Sequence, residues 1–390
     1  MGKTKKDFIC NTLRAEIESG KFSATGDFPS DRALMRRFCV ARETVRASLR
    51  ELETKKLIRR AVGSGTKVVA ERTRSHRFGL VLADMSRPFY LRIAAGIEEA
   101  LKSRWAGGAA NVLLTASLHG GMGDERIEET RRFARMCVRE SVDGVFFQPL
   151  HFVRDGGRLN RELLGVFDGT GIPVVLLDSD FVAPPARSNY DLVCTDSTLV
   201  GYELARLMIA RGARRIVFAT HPLSAPTSLL RGIGMGMATS EAGLGWDDGS
   251  LVFIDDPKDP RAVKAIFARR PRPDAVLCCD DVFAADLLES LHAIGLAVPD
   301  DLLVAGVNGD SVAAVASPPI TTFVQPCRAM GRTAARMMFE RLADPSLPPR
   351  ETRIAAELVE RESTMPKKRR ANGRRAGTTQ PPTPKQKEKP

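Results

Sequence analysis

Residues 274–314 read DAVLCCDDVFAADLLESLHAIGLAVPDDLLVAGVNGDSVAA. An apolar run, AVLCC, gives way to a stretch of helical periodicity and then to a second apolar run, LLVAGVN. Near-continuous hydrophobic runs separated by a helix suit strands buried on both faces of a parallel sheet, because crossover helices cover those faces. The same alternation extends outward through FGLVLAD, NVLLTAS, VDGVFFQ and IPVVLLD, and then through RRIVFAT and SLVFID. Eight such runs in two series of four predict an α/β body with two lobes, each a doubly wound parallel sheet.

Ligands of open α/β sheets bind beyond the carboxyl ends of the strands. In the first series those positions hold Asp84, Gln148, Asp178 and Asp180, and in the second Asp280, Asp281 and Asn308. Carboxylates accept paired hydrogen bonds from adjacent hydroxyls, so the collection suits a hydroxyl-rich ligand. A single strand-end aspartate is as readily a helix cap; the grouping is what points to binding.

The formal net charge of +12 is unevenly spread. Residues 1–77 carry 19 basic and 9 acidic side chains, residues 78–365 carry 31 and 37, and residues 366–390 carry 9 and 1. A small basic domain on an acidic body is expected where one end alone approaches phosphate. The tail, PKKRRANGRRAGTTQPPTPKQKEKP, is basic and Pro-rich without periodicity, which predicts disorder and a solubilising or DNA-attracting role.

In the basic N-terminal segment, Ile9, Leu13 and Ile17 recur at helical spacing up to Gly20. Pro29 and Ser30 then open a short helix burying Leu34 and Phe38, and Val45, Leu49 and Leu52 stripe a third. Arg42, Thr44, Arg46 and Arg50 fall off that stripe, where a recognition helix meets the major groove. IRRAV and TKVVA, joined by Gly63-Ser64-Gly65, read as a basic hairpin.

In order, Pro29-Ser30-Asp31-Arg32-x-Leu34, Val40-Ala41-Arg42-x-Thr44-Val45-Arg46-x-x-Leu49 and Gly63-x-Gly65-Thr66-x-Val68 resemble the winged helix-turn-helix of the GntR regulator family over residues 7–69. The resemblance implies DNA contacts from Arg32, Arg42, Thr44, Arg46 and Gly65. Ala41 stands where the family carries a capping serine. Glu43, where a small polar residue is common, could accept from cytosine N4 and alter base preference.

The body resembles the LacI/GalR sensor, a relative of periplasmic sugar-binding proteins, through MSRPFYLRIAAGIEEAL, VCTDSTLVGYELARLMIARGARRIVF, LLRGIGMGMATSEAGL and the stretch quoted at the outset. The fold implied is a winged helix-turn-helix followed by a two-lobed periplasmic-binding-protein-like domain. The units expected are a head at 1–70, a linker at 71–77 and a sensor at 78–365, the lobes being 78–185 with 311–345 and 186–310 with 346–365. By the same resemblance Ser86, Phe89, Asp196, Arg231, Asp281 and Asn308 are effector-site positions, joined by Gln148 and Asp180 from the strand ends. Arg87 replaces the usual asparagine, and ERTRSHR lacks the hinge helix of that family.

Seven scattered cysteines without a C-x-x-C pair suit reduced thiols rather than a disulfide framework or a zinc site. Gly232, Gly234 and Gly236 do not follow a dinucleotide-binding spacing and suggest close packing or a mobile lobe instead. The five histidines form no metal motif, and neither a catalytic constellation nor a cofactor motif is evident. A charged N-terminus and the lack of a long apolar run predict a soluble cytoplasmic protein without membrane contact. The expectation is a transcription regulator, by default a repressor: a homodimer on palindromic operator DNA, contacting its twin partly through IEEALKSRW and released by a small carbohydrate. A transport component, a sugar-processing enzyme and a regulator responding to a non-sugar effector are the rivals. The first lacks its signal peptide, the second its acid/base pair.

Overall fold

Helix α1 (Lys5–Glu18) turns Ile9 and Leu13 inward against α3 (Arg42–Thr54), whose Val45, Leu49 and Leu52 are fully buried. Helix α2 (Asp31–Phe38) lies between them in sequence; the Ser30 hydroxyl accepts its Ala33 N–H at 3.2 Å. Strands β1 (Ile58–Ala61) and β2 (Gly65–Val68) form an antiparallel hairpin, and buried Ile58 anchors it to the helical core. These contacts come from a computed structural model that describes residues 5–18, 22, 28–55, 57–61, 65–68, 76–82, 87–104, 111–114, 124–268 and 272–365. Ser86, Asp84, residues 71–75 of the expected linker and the tail at 366–390 lie outside these residues.

The body holds two six-stranded sheets. The first series supplies β3 (Arg77–Val81), α4 (Pro88–Arg104), β4 (Asn111–Leu114), α5 (Asp124–Arg139), β5 (Gly144–Phe147), α6 (Gly156–Gly165), β6 (Val174–Leu177) and β7 (Asp191–Thr195). The second supplies α7 (Ser197–Ala210), β8 (Ile216–Thr220), α8 (Pro226–Glu241), β9 (Leu251–Phe253), α9 (Pro260–Phe267), β10 (Ala275–Cys278), α10 (Asp281–Ala293), β11 (Leu303–Asn308), α11 (Ser311–Val315) and β12 (Thr321–Val324). Helix α12 (Cys327–Ala343), β13 (Glu351–Ile354) and β14 (Glu357–Val359) finish the chain before a short 3-10 turn at Glu362–Thr364. Strand order is β13-β7-β6-β5-β3-β4 in one sheet and β14-β12-β11-β10-β8-β9 in the other; β14 pairs antiparallel with β12, and the remaining pairings are parallel. All eight apolar runs are strands, and β3 begins at Arg77, inside the expected linker.

The lobe boundaries differ from expectation. Strand β7 belongs to the first sheet, β12 to the second and β13 to the first, so the chain crosses between lobes near 195–196, 325–327 and 354–357. Asp191 explains the first: this buried carboxylate at the start of β7 accepts from Arg341 of α12 at 2.9 and 3.0 Å, and from the Arg350 N–H beside β13 at 2.9 Å. A buried charge is tolerated when so fully paired. Thr321 explains the second, since its buried hydroxyl bonds Thr364 at 2.7 Å and ties β12 to the second lobe's last turn.

Each lobe is braced by one close helix crossing. A Cβ on Gly96 of α4 would strike the Arg328 carbonyl of α12, and one on Gly331 would strike the Ile93 carbonyl. In the second lobe, Gly201 of α7 faces the Arg231 carbonyl and Gly234 of α8 faces that of Thr198. Backbones approach this closely only where no side chain intervenes. Close packing is thus the role of Gly234, and Ile97 and Leu101 of IEEALKSRW are buried in the body's interior.

Candidate functional site

Two sites emerge, one on the head and one between the lobes. With the apolar stripe of α3 buried, its opposite face leaves Arg42 and Glu43 exposed and Thr44 and Arg46 partly exposed. Arg46 sits 3.7 Å from Asp31 and 4.0 Å from Glu43, and Arg50 lies 3.9 Å from Glu43. Exposed pairs this loose contribute little, so phosphates or base edges can replace them. Arg32 is exposed on α2, whereas Arg60 is held by both Asp31 oxygens at 3.0 and 3.1 Å and serves the hairpin's attachment.

Gly65 has φ of +76° with open space around its Cβ direction, so backbone conformation and not crowding calls for glycine. Beyond it, exposed Arg59 and Lys67 stand directly opposite each other on β1 and β2. Like charges so placed weaken a ladder; a phosphate between them would turn that cost into binding. Ala41 supplies no side-chain cap to α3.

Between the lobes, strand ends and loops line a narrow cavity that is partly open to solvent. The first lobe lines it with Arg87, Phe89, Tyr90, His151, Phe152 and Asp178. The second contributes Ser224, Thr227, Ser228, Arg231, Cys279, Asp280 and Asn308, with Gln325 at a crossing. Asp178 directly follows β6 and Asn308 ends β11, both with positive φ, +69° and +117°. Non-glycine residues held there carry strain of the kind that collects at binding sites.

Arg231 is 6% exposed; its Nη1 donates to the Cys279 carbonyl at 2.7 Å, while its buried Nε has no hydrogen-bond partner among the described residues. Burial raises the Asp178 carboxyl above its ordinary range, opposed by the Arg231 charge and the Gln148 amide. Burial also pushes His151 down to about 4, so this imidazole is neutral; its Nε2 lies 2.7 Å from Ser179 Oγ. Tyr90 is pushed up to about 12 by burial and stays a neutral phenol. Three aromatic rings, a cation with an unused donor, an acceptor and several hydroxyls can hold a small polar molecule with an apolar face.

Of the residues expected at the effector site, Phe89, Arg231 and Asn308 line the cavity. Asn308 is oriented by Gln325, whose Nε2 donates to its Oδ1 at 2.8 Å. Gln148 and Asp281 are buried behind the wall; burial raises the Asp281 carboxyl to about 7, and its Oδ2 accepts the Asp310 N–H at 2.8 Å. Asp180 is elsewhere: it binds the backbone N–H groups of Phe181, Val182 and Ser188 and so fixes a loop. Asp196 caps α7 through the Leu199 N–H at 3.0 Å and pairs with Arg353 at 3.3 Å, at a crossing and not in the cavity. Sequence reasoning missed Tyr90, His151, Phe152, Thr227 and Ser228 as cavity residues. The HFVRD stretch beyond Gln148 was the available signal, since it too follows a strand's carboxyl end.

Residues 5–68 match the gntR family of bacterial regulatory proteins, and residues 205–364 match the periplasmic binding protein-like domain. The chain joins a gntR-family DNA-binding head to a periplasmic binding protein-like body. It is 27% identical over 292 residues to the ribose operon repressor of Escherichia coli (strain K12), covering 74% of this chain and 82% of that one. It is 26% identical over 326 residues to the HTH-type transcriptional repressor PurR of Pasteurella multocida (strain Pm70), covering 83% and 90%. A solved complex of the transcriptional regulator CelR with cellobiose superposes with a TM-score of 0.62 at 25% identity, covering 83% of this chain and 91% of that one. This gntR-headed chain is a DNA-binding transcription regulator. Among its described residues no helix is long and apolar enough to cross a membrane, and no group of three or more His, Cys, Asp or Glu is placed to hold a metal ion.

Proposed function

We propose that the chain is a cytoplasmic repressor that binds palindromic operator DNA as a homodimer and releases it when a small carbohydrate fills the cavity between its lobes. The observation carrying this reading is the buried Arg231 guanidinium, whose unused Nε donor shares a cavity with Asp178 and the Phe89 and Phe152 rings. A sugar presents hydroxyls to the first two and an apolar ring face to the aromatics. The cellobiose held by CelR favours the same class. The DNA residues of the reading are Arg32, Arg42, Glu43, Thr44, Arg46 and Gly65.

The homodimer rests on operator symmetry, since a two-fold protein reads two-fold DNA. Exposed Leu229, Ile233 and Met237 recur every fourth residue along α8 and offer an apolar stripe that a second copy would cover. Binding without turnover is part of the reading: product formed from a sugar would overturn it.

The deciding experiment is a thermal-shift screen with sugars, sugar acids and nucleobases. A ligand at about 100 times its Kd stabilises the native state by about 2.7 kcal/mol. A sugar that shifts melting and lowers operator affinity is the expected result. A shift from nucleobases alone would reject the carbohydrate, and light scattering that finds a monomer on operator DNA would reject the dimer.

A further inference from the structure

Four charges span the cleft, and two of them, Arg87 and Asp280, line the cavity. Arg87 and Arg92 belong to the start of α4 in the first lobe, Asp280 and Asp310 to the starts of α10 and α11 in the second. Arg87 Nη2 lies 3.3 Å from Asp280 and 3.6 Å from Asp310, and Arg92 Nη2 lies 3.7 Å from the other Asp310 oxygen. Asp310 is 6% exposed and makes no capping bond to its own helix. Asp280, Asp281 and Asp310 are three acidic groups gathered on one lobe. The charge of Asp280 adds to burial in raising both of its neighbours, whereas Arg87 and Arg92 from the opposite lobe act against it on Asp310.

Separating the lobes would therefore leave an acidic cluster to repel itself, and closing them brings its counter-cations. A second contact spans the cleft independently of charge: the Phe152 N–H of the first lobe donates to the Leu223 carbonyl of the second at 3.0 Å, with the Phe152 and His221 rings edge-on at 5.9 Å.

We propose that Arg87 and Arg92 clasp Asp280 and Asp310 so that the lobes are already closed before an effector arrives. The effector then fills a closed site and shares Arg87 with the clasp, instead of drawing two open lobes together. This rests on the reading of the cavity as a ligand site for its biological meaning, but the clasp itself is testable without ligand or DNA.

The test is single-molecule energy transfer in the full-length, ligand-free protein, with dyes on Arg158→Cys in the first lobe and Glu289→Cys in the second after Cys39→Ser. Wild-type clasp residues should give a dominant high-efficiency population. Arg87→Ala with Arg92→Ala should lower the closed-to-open ratio about tenfold, because two cross-lobe cations are lost. Asp310→Asn, which keeps the side-chain volume and the backbone bond to Asp281, should move the ratio in the same direction and serves if the double variant does not fold. A closed-to-open ratio unchanged in a folded variant, or a ligand-free protein that is already mostly open, would overturn the clasp. Because no effector is used, a failed sugar screen leaves this result standing, and the reverse also holds.

Discussion

Arg231 of α8 donates to the carbonyl oxygen of Cys279 at 2.7 Å, which joins that helix to the end of β10 and aims the rest of the guanidinium into the cavity. Removing it should leave the head untouched. Arg231→Ala is expected to bind operator DNA with wild-type affinity and to show no response to the effector found by screening. Fluorescence anisotropy with labelled operator, with and without that effector, measures both; a normal response would take Arg231 out of the site.

Arg46 makes contacts of 3.7 and 4.0 Å that base recognition can replace. Arg46→Ala should weaken operator binding by about 1–3 kcal/mol and relax sequence preference at one position. Selection of binding sites from a random pool gives the preference directly. Equal affinity and an unchanged motif would show that Arg46 only decorates the helix.

At the crossing of α7 and α8, Gly234 faces the Thr198 carbonyl with no room for a methyl group. The neighbour is backbone and cannot rotate away. Gly234→Ala should cost about 3 kcal/mol, read as a lower urea midpoint, whereas Gly245→Ala, with nothing within 4 Å of its Cβ position, should be tolerated.

His151 supplies a pH dependence of definite sign. Its folded pKa is lowered from 6.5 to about 4, so between those values the unfolded chain binds a proton that the folded chain does not. The stability it contributes is present above pH 6.5 and is lost as pH falls toward 4, by about 3 kcal/mol in all. Asp281 works the other way: its raised folded pKa, about 7, makes the folded chain bind the extra proton, so its contribution is present below about 4 and lost as pH rises to 7. The His151 part is isolated by comparing wild type with His151→Asn. Their difference in unfolding free energy should shrink by about 3 kcal/mol from pH 7 to pH 4, and a constant difference would refute it.

The strands legible in the sequence were those whose residues are apolar throughout, such as AVLC in β10 and VVLL in β6. Strand β7 escaped because it opens on Asp191, whose charge is neutralised by Arg341 and Arg350 from distant parts of the chain. Strand β12 escaped because Thr321 and Thr322 are fully buried yet polar. Those two misreadings moved the lobe boundaries.

At the cavity, the family resemblance pointed to Phe89, Arg231 and Asn308, but sequence could not say whether an aspartate near a strand end faces a ligand or a backbone. Asp180 and Asp196 both chose the backbone. Tyr90 and His151 lie outside the apolar runs, where periodicity carries no information about direction.

The three crossings between the lobes are themselves tied together. Thr195 donates to the Gln325 side chain at 2.7 Å, linking the first crossing to the second, and Arg353 reaches Asp196 at 3.3 Å, linking the third to the first. Three cross-braced connections restrict how one lobe can turn on the other, as linked hinges restrict a door, so the two halves of the cavity wall are held in register by bonds that lie outside the cavity itself.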